Sequence, residues 1–245
     1  MFKALLGTTL ALGLWGTASA AVNCGSFPNN TINNFVNDDV LAVGISCTIG
    51  PNGSVNGSVT QSGDGSLVIR GAVNGSVTED GVGDVVLARG ARVGGDVSEN
   101  GTGNVSVRGG ASIDGAIEES GDGSVNVTVD VPGIVKGNIY ENGNGGVTVN
   151  ATSGNFEGSV SETGPGNVAV LVNYGMSFKG EIEETDGGGV TAEVNGFFEG
   201  NIVERLGGSV ATGGAGVFKG NSEHQLPGSC SNAIVRFEGS ACVLI

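Results

Sequence analysis

The sequence predicts an all-β chain, a single β-solenoid of about eight to nine coils with a repeat near twenty residues and a disulfide-stapled cap at each end. Three observations predict it. Glu79, Glu99, Glu119, Glu141, Glu162, Glu184 and Glu204 recur every 20 to 22 residues, each at one offset in a frame close to GxVxExGxGxV. Apolar residues alternate with polar ones on both sides of every such glutamate. All four cysteines lie outside the repeats. A unit this short cannot bury its apolar face alone, so each must stack on its neighbours.

In chain order, residues 1–20 have the outline of a secretory signal: Lys3, an apolar run from Ala4 to Trp15, and the small residues Ala18-Ser19-Ala20. The run is too short to span a bilayer as a helix, so no integral membrane span is expected. Residues 21–52 are expected to form an N-terminal cap, 53–222 the solenoid repeats and 223–245 a C-terminal cap. Export into an oxidising compartment makes disulfides expected, and of the three pairings of Cys24, Cys47, Cys230 and Cys242 the economical one is Cys24 with Cys47 and Cys230 with Cys242. Each bridge would then staple one cap over a solenoid end, which otherwise exposes apolar side chains and unpaired strand edges.

Within the repeats, three aliphatic columns define the expected core. Val59, Val77, Val97, Ile117, Ile139, Val160, Ile182 and Ile202 stand two residues after each coil's first glycine. Leu67, Val85, Val105, Val125, Val147, Val168, Val190 and Val210 follow eight residues later. Val73, Val93, Ile113, Val135, Phe156, Phe178, Phe198 and Phe218 close the coil, and the change from Val or Ile to Phe implies a wider core toward the C-terminus. Alternation with β-branched residues reads as strand. The ExGxGx segment between the first two columns reads as a corner whose glycines supply positive φ, with Asp186 and Leu206 replacing the first glycine in the last two coils. Variation in coil length falls after the VxV strand, and loops are expected there.

Composition narrows the function. The chain holds 10 basic and 25 acidic residues, a formal charge of −15, and loss of Lys3 with the signal leaves 9 against 25, or −16. This acidic, glycine-rich surface carries the wrong sign for nucleic acid, and no nucleic-acid partner is expected. A single histidine, His224, and no CxxC pair argue against a zinc site.

The glutamate ladder allows two readings. In one, each carboxylate accepts hydrogen bonds from the amides of its own corner. In the other, Glu79, Glu99, Glu119, Glu141, Glu162, Glu184 and Glu204 form a candidate Ca²⁺ ladder along one edge, assisted by Asp64, Asp80, Asp84, Asp122 and Asp186. The corner at 99–104 resembles part of the calcium-binding nonapeptide GGxGxDxUx, with Val105 where that pattern has Asp. Strand parity counted from Val97 turns Glu99 inward, so the corner must either break parity or supply partners for buried carboxyls. No other cofactor is expected. Seven identical acids also argue against catalysis, because a catalytic pair is differentiated by its surroundings.

Over residues 52–222 the repeats resemble, at the level of architecture, the Gly-rich β-solenoids of secreted and surface proteins. That resemblance implies a non-enzymatic structural or adhesive rod, outside the cell or on its surface (a periplasmic site also fits), whose partners are extracellular polysaccharide or matrix components. Two alternatives stay open: a polymerising subunit similar in logic to curli fibres, and a carbohydrate-active β-helix enzyme. The pattern fixes neither oligomeric state nor handedness.

Overall fold

The structure is a computed structural model and describes residues 20–130, 134–224, 229–238 and 243–244. It is a parallel β-solenoid of about ten turns. Each coil contributes three short strands to three faces. Among the described residues the first face is a 12-stranded sheet that runs from Val22–Asn23 through Val77–Val82 and Val97–Glu99 to Val243–Leu244, all neighbours parallel. The second face stacks strands such as Leu67–Ile69, Val85–Leu87 and Val105–Val107. The third stacks Ala72–Val73, Arg92–Val93 and Ser112–Ile113. Near the C-terminal end Ser209–Lys219 and Ser229–Glu238 run through both faces and join them into one 20-stranded sheet.

The three aliphatic columns predicted from the sequence are all buried, and the second inward position of the VxV strand, including Ile69, Leu87 and Val107, joins them. Burying a valine or isoleucine contributes about 1.5–3 kcal/mol, and every coil repeats the gain against its neighbours. The core widens as expected, though by a different route. Extra residues after the VxV strand lengthen the strand itself, from three residues in Leu67–Ile69 to five in Val125–Val129, Val147–Ala151 and Val168–Val172. A third inward side chain, Val129, Ala151 or Val172, fills the broader cross-section. Phe156, Phe178, Phe198 and Phe218 stack behind it with ring centroids 4.7, 5.0 and 4.5 Å apart.

The ends also differ from expectation. Residues expected to cap the rod extend it: Val22–Asn23 pairs with Val40–Val43, which pairs with Val59–Asp64, and Ser222–His224 continues the first face beyond Ile202–Arg205. Cys24 and Cys47 are disulfide-bonded as predicted, tying the short helical turn Cys24–Ser26 to the second-face strand Cys47–Ile49. Cys242 and the signal segment before Ala20 lie outside the described residues.

The corner glycines are glycine for a reason the sequence did not reveal. Gly63 and Gly65 in the first corner have the expected positive φ, but none of the corner glycines from Gly81 to Gly166 does. Instead a Cβ on Gly101, Gly121, Gly143 or Gly164 would overlap the carbonyl oxygen of the equivalent glycine one coil earlier, and the second column, Gly103, Gly123, Gly145 and Gly166, is packed the same way. Corners stack at strand spacing only if neither column carries a side chain. Where the first glycine is lost the corner changes conformation, with Asp186 at φ 144° and Leu206 at φ 65°.

Candidate functional site: a buried column of carboxyls

Parity is not broken. In Val77–Val82 and its counterparts the residue after the aliphatic anchor faces out and the glutamate after that faces in. Glu79, Glu99, Glu119, Glu141, Glu162, Glu184 and Glu204 all have no exposed surface. They lie in strict register, with Gln61 before Glu79 and His224 after Glu204. Nine polar side chains thus run through the interior as one line, at about 4.8 Å per step.

The corner supplies the partners that parity demands. Gly101 donates to Glu99 Oε1 at 3.0 Å. Gly143 and Gly145 donate to Glu141 Oε1 at 2.9 and 3.1 Å, and Gly164 and Gly166 to Glu162 Oε1 at 2.8 and 3.2 Å. In the two corners without a first glycine only the later amide binds: Gly188 to Glu184 at 2.9 Å and Gly208 to Glu204 at 2.6 Å. Gln61 inverts the polarity, its Nε2 donating to the Gly63 carbonyl at 3.2 Å. This is the corner hydrogen-bond reading, realised inside the coil at five of the seven glutamates.

Those bonds use one carboxyl oxygen. Oε2 of Glu99, Glu141, Glu162, Glu184 and Glu204, and both oxygens of Glu79 and Glu119, find no donor. The carboxyls face one another instead. Burial, and then the hydrogen-bonding carboxyl of Glu99, push Glu79 up to about 8. Burial, and then Glu141 and Glu99, do the same to Glu119, which is raised to about 8. Glu162 is likewise raised to about 8 by burial and by Glu141, against the pull of the Gly164 and Gly166 amides. Burial raises Glu184 too, with the Gly188 amide opposing.

The structure separates the two acid groups that the Ca²⁺ reading combined. The glutamates are inside, while Asp64, Asp80, Asp122 and Asp186 are exposed and Asp84 is half-buried. Asp80 accepts from Asn100 Nδ2 at 2.7 Å, Asp122 from Asn144 Nδ2 at 2.6 Å, and Asp84 from both the backbone and side-chain nitrogens of Asn104. Among the described residues no group of three or more His, Cys, Asp or Glu is arranged to hold a metal ion.

Two features on the outside escaped the sequence reading. At the corners, short polar side chains accept the backbone amide of the next coil. Ser58 Oγ takes Ser76 N at 3.2 Å, Ser76 Oγ takes Asp96 N at 3.1 Å, and Asp96 Oδ1 takes Ala116 N at 2.8 Å. A column of Ser, Asp and Asn directly after the first glycines, interrupted only by Ala116 and Glu181, was the signal for it. On the third face Glu157, Lys179, Glu199, Lys219 and Glu238 stand opposite one another in register with alternating charge. Lys219 Nζ lies 2.8 Å from Glu199, and that lysine holds the Glu199 carboxyl below its ordinary range.

The chain matches no protein-family model, no curated protein and no solved structure. No helix among the described residues is long and apolar enough to cross a membrane.

Proposed function

We propose that the protein is a non-enzymatic structural or adhesive rod that works outside the cell or at its surface, engaging extracellular polysaccharide or matrix components through many weak contacts. One observation carries the reading: the seven glutamates of the ladder, the acids that recur at one offset in every repeat, are closed off inside the coil, out of reach of any substrate. What remains outside is a repeated surface of short polar side chains, such as Thr60, Thr78 and Ser98 in one column of the first face. A depression on the second face, lined by Asn167–Ala169, Gly187–Thr191 and Gly207–Ser209, holds no titratable side chain. Repetition of weak sites along a rigid body is the geometry from which avidity arises.

The test is retention of the oxidised mature protein on a panel of immobilised extracellular polysaccharides, with soluble glycan products assayed in parallel. Retention that weakens steeply when the rod is shortened by whole coils supports the proposal. Turnover of a glycan would replace it with the enzyme reading.

A polymerising subunit is the second reading, and one observation favours it: first-face register extends to Val22–Asn23 and to Val243–Leu244, so strand edges rather than separate caps stand near both ends of the described rod. Sedimentation of the parent protein separates the two. Fibres would grow without any substitution, whereas a discrete rod would aggregate only after Cys24→Ser with Cys242→Ser.

A further inference from the structure

The carboxyl column has no cationic partner. Among the described residues no Lys or Arg is buried, and the only other buried polar side chains outside the column are Thr212 and Ser222, neither of which titrates. The second and third faces turn apolar side chains to it along its length. The titratable groups that act on it are its own members, Asp80 beside Glu79, Asp186 beside Glu184, and His224 opposite Glu204. Every fixed charge that reaches the column before His224 is negative.

The hydrogen-bond inventory leads to the same place. Two facing carboxylates offer four acceptors and no donor, and buried acceptors without donors are costly. Gln61 sharpens the point. Its Nε2 is committed to Gly63, which leaves Oε1 buried, unpartnered and next in register to Glu79, whose two oxygens also lack donors. At the other end His224 Nδ1 is buried and unpartnered. A proton placed on one carboxyl of a facing pair turns an acceptor–acceptor contact into O–H···O⁻, among the stronger hydrogen bonds. Glu79, protonated, also gives Gln61 Oε1 a donor.

We infer that the column binds protons as its counter-ions, carboxylic acids alternating with carboxylates along the coil, and that this makes the rod a pH-responsive element: tightest in mild acid and loosened as the column ionises. Glu79, Glu119 and Glu162 are the members placed to hold a proton, each flanked by a neighbour whose Oε1 is already taken by corner amides. Each retains its proton when folded and loses it when unfolded, so the folded chain binds more protons than the unfolded one. Stability therefore falls as pH rises from about 4.5, where the unfolded glutamates ionise, to about 8, where the folded ones do, and flattens above. Most proteins are at their most stable between about pH 5 and 8, so the predicted slope is distinctive.

The experiment uses the whole oxidised mature protein and has three arms. Thermal midpoints by circular dichroism from pH 4.5 to 9 at fixed ionic strength should fall by on the order of 10 °C. Infrared spectra of native protein at pH 7 should contain the carbonyl band of protonated carboxylic acid, absent after unfolding at the same pH. The variant Glu79→Gln with Glu119→Gln and Glu162→Gln, which fixes a donor at each proton-holding position, should flatten the pH profile. A midpoint that is flat or rises over the window would overturn the inference, as would a native spectrum without the acid band. So would recovery of the acid-pH midpoint at pH 8 on adding Ca²⁺, since metal cations and not protons would then neutralise the column. The first two arms need no substitution and stand if the variant fails to fold.

Discussion

Gly123 lies directly against the carbonyl oxygen of Gly103, one coil earlier, with no room for a Cβ between them. Gly123→Ala must therefore push two coils apart at the corner where Glu119 sits, and overpacking of this kind costs about 1–3 kcal/mol or more. Gly213→Ala is the control, because nothing lies within 4 Å of its Cβ and its φ is not positive. Chemical denaturation should find the first variant clearly destabilised and the second unchanged or slightly stabilised.

That pair marks what could be read in advance. The strand columns were legible because Val77, Val97 and Ile117 alternate with polar neighbours, and burial on a pleated strand has a period of two. Glu99 was legible in part: parity turned it inward and the corner glycines offered amides, yet nothing local could say that its carboxyl stands between those of Glu79 and Glu119. The glycines themselves misled, because φ is a local property and the close approach of Gly103 to Gly83 exists only once coils stack. His224 stands four residues after Gly220, at the glutamate offset, and pairs with Glu204 as that offset implies, whereas Val22 lies outside the glycine frame and its place on the first face is set by pairing with Val40 rather than by any motif.

Phe178 is sandwiched between Phe156 and Phe198 with centroids 4.7 and 5.0 Å away. Phe178→Ala removes one ring from the stack and leaves a cavity between two others, for a loss of about 3–5 kcal/mol of unfolding free energy, measured by chemical denaturation. Phe178→Leu should recover much of the loss. Equal losses for the two would mean that ring stacking, and not volume, holds this part of the rod.

The bridge between Cys24 and Cys47 closes a segment of 23 residues. Constraint of the unfolded chain by a loop of that length is worth about 3 kcal/mol. Since the bridged segment is the start of the solenoid and not a separate cap, Cys24→Ser with Cys47→Ser should first release the terminal coil. Hydrogen exchange should then rise at Val22–Asn23 and Val40–Val43 while the coils from Val97 onward keep their protection.

Glu119 separates the roles of shape and charge in the column. Glu119→Ala deletes a fully buried side chain and leaves a void between Glu99 and Glu141, each of which has an oxygen without a donor. The cavity and the lost contact together should cost about 2–5 kcal/mol. Glu119→Gln keeps the volume and supplies an amide that donates at any pH, as Gln61 does in the first repeat of the same column. At pH 7 it should lie within about 1 kcal/mol of the parent. Neither substituent ionises, so the difference between the two variants should hold at both pH values, whereas the parent should lose stability relative to the glutamine variant as pH rises and Glu119 ionises. Denaturation of the parent and both variants at pH 5 and pH 8.5 measures it. A glutamine variant as damaged as the alanine one at both pH values would mean that an ionised carboxylate at 119 is itself what the corner requires.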